Sequence, residues 1–335
     1  MYTMHNVLPR LIILLVVAFL FQFTPNAQAA GEYPTRPIEL LVPFTAGGTT
    51  DLRARALAPK MGEVLGQPVV VLNKTGAAGT LAATIVARAK PDGYTIGYAT
   101  ASPIISAPHM QKLEYDVLTD FTYVAGAAAV KLGCAIIVRG DAPYKTIGEF
   151  IDYAKTKPGE IKFAHAGIGS YPHSYLEMFA KVKNLKLVQV PFKGDQDALT
   201  ALLGGHVSMA SIAGFAPFVS HVQSGRLNIL AVFMENRTVE FPQIPTVKEI
   251  GFPYDLRAGD ILGIWGPKGL PPEVVKKLEN AVKHAGESPE YKGNLERWGD
   301  EVRFRDSREF TKLIHDIYPQ MGEMIKLLGF SKPSP

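Results

Sequence analysis

Apolar and polar positions follow two rhythms along this chain, short apolar runs and longer stretches with a single apolar face. Residues 38–42 form a short apolar run that reads as a buried strand. Leu57, Met61, Val64 and Leu65 then share one face of a helix that Gly66 stops. Between them lies Pro43-Phe44-Thr45-Ala46-Gly47-Gly48-Thr49-Thr50-Asp51, which makes a strand, glycine turn and helix in succession. The two glycines let the backbone turn tightly and approach a ligand with no Cβ in the way. Thr49 or Thr50 is placed to cap the helix, whose first N–H groups point outward. Such a turn is either an ordinary strand-to-helix connection or a small anion site made of backbone donors and a helix dipole.

The pattern then recurs. Residues 68–72 are a β-branched run, followed by the turn 73–79 and a small-residue helix to about Ala89. Pro91-Asp92-Gly93 is a turn signal before a strand at 94–99, and Ser102 lies at the carboxyl end of that strand. Strands at 121–130 and 133–138 lead into a second lobe. There, Thr146 and Glu149 form a capping box ahead of Ile147, Phe150, Ile151 and Ala154, spaced for one helix face. A strand at 161–164 precedes a second glycine turn, from His165 through Gly167, Gly169 and Ser170 to His173. The strand at 187–191 leads through Gly194 and Asp195 into another helix, and strands at 207–212 and 227–233 follow. A strand near 261–265 returns to the first lobe, Pro271 and Pro272 open a helix, and a terminal helix starts at Ser307. Pro319 should kink that last helix and Pro59 the first.

Strands alternating with helices predict an α/β fold with mostly parallel sheets covered on both faces. Ligands of such sheets sit beyond the carboxyl ends of the strands. That rule gathers the turns after Val42, Leu72, Ala99, Ala164, Pro191 and Ile212 into one place. Two lobes that present glycine-rich turns to each other make a cleft able to close on a small ligand.

The 335 residues leave room for two lobes, and 47% hydrophobic with 20% charged residues is ordinary globular composition. A formal net charge of +4, with no basic run among aromatics, argues against nucleic acid as a partner. Residues 1–29 have the form of a cleavable signal peptide. Arg10 supplies the positive region, 11–23 the apolar stretch, and Ala27-Gln28-Ala29 the cleavage pattern. That stretch is shorter than the about 20 apolar residues a spanning helix needs. The mature chain, from about Ala30, is therefore expected to be exported and soluble. Cys134 is the single cysteine, so no internal disulfide can form, and its apolar run marks it as a buried small hydrophobe.

Catalytic and metal signatures are missing from the sequence. It has no Walker A pattern, no Gly-x-Ser-x-Gly elbow and no His-Glu-x-x-His. Gly167-Ile168-Gly169 begins like a dinucleotide fingerprint, but Pro172 stands where the third glycine belongs. The eight histidines show no ligand spacing, although His165 and His173 bracket the second glycine turn within reach of a ligand. Asp51, Asp195 and Asp197 all lie near helix starts and read as capping carboxylates ahead of acid–base groups. No catalytic residue, metal or cofactor is expected. Phe44, Phe192, Phe215 and Phe218 lie near the expected cleft, at least half of them as core residues.

An ordered set of motifs runs through the mature chain. In the first lobe it comprises Tyr33-Pro34-Thr35-Arg36-Pro37-Ile38, Pro43-Phe44 with Gly47-Gly48 and Asp51, Gly66-Gln67-Pro68, Asn73 with Gly76-Ala77-Ala78-Gly79, and Pro91-Asp92-Gly93-Tyr94. In the second it comprises Gly167, Gly169-Ser170 and His173, then Val190-Pro191-Phe192-Lys193-Gly194, Gly204-Gly205 and Ile244-Pro245-Thr246. Taken together they resemble the periplasmic receptors of tripartite tricarboxylate transporters, the Bug family. The resemblance implies a two-lobed periplasmic binding protein fold of type II, with two crossovers and a ligand cleft between the lobes. It divides the chain into a discontinuous first lobe, 30–131 and 258–335, and a second lobe, 132–257.

By the same resemblance, the ligand is a small organic carboxylate held largely by backbone amides and water. The di- and tricarboxylates and aromatic carboxylates all qualify. The partners implied are the membrane components of the transporter, and the receptor is expected to be a monomer in a Gram-negative periplasm. Phe44, Thr45, Ala46, Gly47, Gly48 and Thr49 are carried over as first-turn contacts. Gly167, Gly169, Ser170, Gly194 and Asp195 face them. Ser102 and His173 complete the expected site with Ser211, which with Ile212 stands where the family often has an aspartate. Ile261, beside Asp260, stands where the family often has a tryptophan. A sensory receptor for a signalling partner would present the same cleft, and an exported enzyme would need a nucleophile–base pair that is not legible.

Overall fold

The computed structural model describes residues 33–130, 133–234, 236–238, 241–253, 261–327 and 329. The signal-peptide reading of 1–29, Asp260 and the lobe limits at 131/132 and 257/258 lie outside the described residues. The described residues from Arg36 onward belong to one compact unit, and they hold two sheets.

The first sheet opens as the apolar rhythm predicts. Strand β1 (Ile38–Val42) leads into α1 (Thr49–Leu65), and β2 (Val69–Asn73) follows. Then come α2 (Thr80–Ala87), β3 (Thr95–Ala99), a wide turn at Ser102–Ser106, α3 (Ala107–Met110) and β4 (Phe121–Val130). The second sheet contains β5 (Cys134–Arg139), β6 (Lys162–His165), β7 (Val188–Pro191), β8 (Met209–Ala213) and β9 (Leu227–Phe233). Among these strands lie α4 (Ile147–Thr156), α5 (Tyr171–Val182), α6 (Asp195–Leu203) and α7 (Val219–Gln223). The chain then returns as β10 (Leu262–Pro267), α8 (Pro272–Glu287), α9 (Pro289–Arg297), β11 (Asp300–Arg305) and α10 (Ser307–Leu327).

Strand order is β2-β1-β3-β10-β4-β11 in one sheet and β7-β6-β8-β5-β9 in the other. The first five positions correspond, with β10 and β5 in the same place. Each is the strand that follows a passage from the opposite sheet. Because it enters from the other side, it runs antiparallel to both neighbours: β10 to β3 and β4, β5 to β8 and β9. The expected mostly parallel sheets are therefore mixed. Among the described strands, β1 with β2 and β3, and β6 with β7 and β8, pair in parallel.

The cores follow from the burial of these runs. Leu40, Leu41 and Val42 are buried on β1, as are Leu57 and Met61 on the facing side of α1. Cys134 is buried on β5, as its apolar surroundings predict. Phe215 and Phe218 pack on each other in the second-lobe core, and Phe215 also meets Phe241. The capping box forms: Thr146 Oγ1 accepts from Glu149 N–H at 3.2 Å, while Glu149 reaches back to Lys145 N–H at 2.7 Å. Pro59 and Pro319 both lie inside helices that continue past them.

Candidate functional site

The carboxyl ends of β1, β3, β6 and β8 and the starts of α1, α5 and α6 meet between the two sheets. They surround a small cavity of about 40 Å³. Thr50 from the first turn of α1, Tyr171 and Pro172 from that of α5, and Asp195 from that of α6 all line it. The first N–H groups of an α-helix have no partner within the helix, and the dipole makes each such end electropositive. Three of these ends converge on one space. Thr100 and Ser102 add hydroxyls, and Phe44, Val130, Ile261 and Leu262 supply apolar wall.

The first glycine turn is held by a network centred on Asp51. Its carboxylate accepts from Gly47 N–H, Arg55 Nε and Asn73 Nδ2, each at 2.9 Å. Asn73 Nδ2 also donates to the Phe44 carbonyl at 2.9 Å, tying the turn to the end of β2. Burial works to raise the Asp51 pKa, but the bonds from Arg55, Gly47 and Asn73 outweigh it and hold the carboxyl below its ordinary value. Two expectations are corrected here. The helix cap is Gly48, with no side-chain bond, because Thr49 instead donates to the Ala213 carbonyl across the cleft at 2.5 Å. The Gly47 N–H is already engaged by Asp51, so the donors left to face the cavity lie at the helix start.

The lobes touch closely around the cavity. Besides Thr49, Ser106 Oγ donates to Gly169 O at 2.7 Å, and Tyr171 N–H donates to Ser102 Oγ at 2.9 Å. Gly194 sits where a Cβ would lie 2.5 Å from Thr45 Oγ1 and 3.0 Å from Thr45 N. A Cβ at Gly167 would lie 3.0 Å from Ala78 N. These second-lobe glycines let the opposite turns approach each other.

Of the expected site residues, Phe44, Ser102 and Asp195 line the cavity. Thr45, Ala46, Gly47, Gly48 and Thr49 lie on the turn beside it, and Gly167, Gly169 and Gly194 face that turn or its neighbours. Ser170 is the cap of α5, its Oγ accepting from His173 N–H at 3.3 Å. His173 is buried beneath the turn, its Nδ1 accepting from Gly169 N–H at 3.1 Å, with its ring 4.4 Å from that of His165. Burial pushes both rings down, to about 3 for His165 and about 4 for His173, so both are neutral packing groups. Ser211 lies outside the lining, with its hydroxyl donating to the Pro172 carbonyl at 3.0 Å.

Two charged groups give the cavity its electrostatics. Arg53, missed in the sequence, lines it and makes a paired contact with Asp300, Nε to Oδ2 at 2.6 Å and Nη2 to Oδ1 at 2.9 Å. Their side chains are 3% and 0% exposed. Burial opposes the charge on Arg53, but Asp300 outweighs it and holds the guanidinium ionised. Asp195 is not the helix cap expected of it, since Gly194 holds that position. Its carboxyl accepts from Ala213 N–H, while Oδ1 is buried with no hydrogen-bond partner. Burial pushes its pKa up to about 7, against the opposing effects of the Ala213 N–H and Arg53. Among the described residues no group of three or more metal-ligating side chains occurs, and no helix is long and apolar enough to cross a membrane.

Residues 53–330 match the family described as "Tripartite tricarboxylate transporter family receptor". The "UPF0065 protein in gbd 5'region" of Cupriavidus necator is 34% identical over 309 residues, covering 92% of each chain. The solved structure of the periplasmic binding protein BugD is 34% identical, with a TM-score of 0.83 over 90% of this chain and 100% of that one. An R. palustris protein solved with adipate is 27% identical, with a TM-score of 0.82 over 90% of this chain and 100% of its own. MatC from Rhodopseudomonas palustris with bound malate is 29% identical, with a TM-score of 0.80 over 88% of this chain and 100% of its own. The chain, with its two lobes joined by exchanged strands, belongs to the Bug family of periplasmic receptors for tripartite tricarboxylate transporters.

Proposed function

We propose that this chain is exported through a cleaved signal peptide, binds a small organic carboxylate between its lobes, and delivers it to the membrane components of a tripartite tricarboxylate transporter. The observation that carries this reading is the convergence of three helix starts on one cavity. The electropositive helix ends favour an anion there, with the N–H groups of α5 already taken by Ser102 and Ser170 and those of α1 and α6 left as the backbone donors. A carboxylate is the anion whose short apolar body suits the walls formed by Phe44, Val130, Ile261 and Leu262. Adipate and malate in the two similar solved structures support the same class.

In this reading the first lobe is 30–131 with 258–335 and the second is 132–257. Ligand enters when the lobes part. It is sealed in when contacts such as Thr49 to Ala213 form. The lobes act by binding in this reading. The test is a thermal-shift screen followed by calorimetry on residues 30–335 with succinate, malate and adipate. Saturable binding of at least one is expected, adding about 2.7 kcal/mol of stability at a hundred times its dissociation constant. Failure of all three to bind would overturn the reading.

A further inference from the structure

The cavity's charges do not balance in favour of an anion if every carboxyl in it is ionised. Arg53 is the one cation among the described residues lining it, and Asp300 already neutralises it through two hydrogen bonds. Asp195 is the one carboxyl among the described lining residues, 6% exposed, and its Oδ1 is buried without a hydrogen-bond partner. An ionised Asp195 would set a bare negative charge beside any bound carboxylate, in a place with little water to screen it. A protonated Asp195 instead offers an O–H donor at the oxygen that lacks a partner.

We propose that Asp195 determines the charge state in which this receptor takes its ligand: its carboxyl binds as the neutral acid, donating a hydrogen bond from Oδ1 to a ligand carboxylate. Each binding event by an ionised receptor then brings one proton from solvent, which ends on Asp195 while the ligand stays ionised. This inference rests on the carboxylate reading of the cavity and adds to it a selection of fully anionic ligands over those with an ammonium group. An ammonium would keep Asp195 ionised and reverse the direction of proton movement.

The surrounding groups leave Asp195 as the titrating one. Arg53 on α1 faces it and stays ionised, with Asp300 of β11 behind. From β5 the Cys134 thiol faces it and is pushed well up by burial. His165 and His173, in the same lobe, are held neutral. Burial places Asp195 itself near 7, and a bound anion raises it further.

The test is calorimetry of succinate, malate and adipate with the full mature chain from about pH 6 to 9, in paired buffers of different ionisation heat. At the upper end these probes are fully ionised, so their own titration adds nothing. The expected result is uptake of about one proton near pH 8 and a dissociation constant rising about tenfold per pH unit above the Asp195 transition. Asp195→Asn, whose amide donates a hydrogen bond without titrating, should give no proton uptake and a flat profile. The wild-type measurement stands alone if that variant does not fold. Binding with no proton uptake, or with proton release, overturns the proposal while the carboxylate reading survives. Persistent pH dependence in a folded Asp195→Asn protein also overturns it. No binding by any probe at any pH overturns both.

Discussion

Replacing Asp300 with asparagine removes the charge that Arg53 is built against while keeping nearly the same shape. The two side chains are 3% and 0% exposed and meet at 2.6 and 2.9 Å, so little water is available to take over. With charge centres about 4 Å apart and an effective dielectric of about 20, their attraction is about 4 kcal/mol. Removing one partner of a buried pair typically costs about 3–5 kcal/mol, because the remaining charge is left desolvated. Asp300→Asn is therefore expected to lower stability by about 3–5 kcal/mol, read as a shift in urea midpoint at constant slope near pH 8. Arg53→Met combined with Asp300→Leu should recover most of that loss, since two apolar groups leave no stranded charge. A folded Asp300→Asn variant should also bind a dicarboxylate more tightly, because Arg53 is no longer neutralised. A loss below about 1 kcal/mol would show that water reaches the pair and refute the reasoning.

Three further outcomes follow from the same geometry. Asp195 is near 7 when folded against 3.8 as an ordinary carboxyl, so its contribution to stability is intact below about pH 4 and lost as pH rises through 7. Asp195→Asn should gain on the wild type across that window, by at most about 4 kcal/mol above it, and equal urea midpoints at pH 5 and 8 would contradict this. Gly194→Ala places a Cβ 2.5 Å from Thr45 Oγ1 only when the lobes are shut. It should cost about 1–3 kcal/mol of binding in calorimetry with little loss of stability, partly restored by Thr45→Ala. Mass spectrometry of the exported protein should find a chain starting near Ala30, and retention of residues 1–23 would contradict the signal-peptide reading.

What the sequence made legible was local. The strand, glycine turn and helix at residues 38–65 appear where the apolar rhythm puts them, and the rule about carboxyl ends brings the turns after Val42, Ala99, Ala164, Pro191 and Ile212 to the cavity but not the one after Leu72. Arg53 was not legible because it looks like any polar residue between Asp51 and Arg55, and its partner lies 247 positions away. The β11 strand, Asp-Glu-Val-Arg-Phe-Arg, lacks the apolar run that marked the others and forms by pairing at the edge beside β4. Asp51 and Asp195 both sit in first helical turns. Only packing separates them: Asp51 turns back to Gly47, whereas Asp195 meets Ala213 and the cavity. The role of Gly194 depends on contact with the other lobe, which no local pattern encodes.

The central claim, that converging helix starts hold a carboxylate, is tested most directly by removing the ligand's charge while keeping its shape. Calorimetry would compare succinate with succinamide and adipate with adipamide on the mature protein at pH 7. Each partly buried helix end contributes up to about 2 kcal/mol toward an anion, so the better dicarboxylate should bind at least about a hundredfold more tightly than its diamide. A diamide that binds as well as its acid would contradict the account.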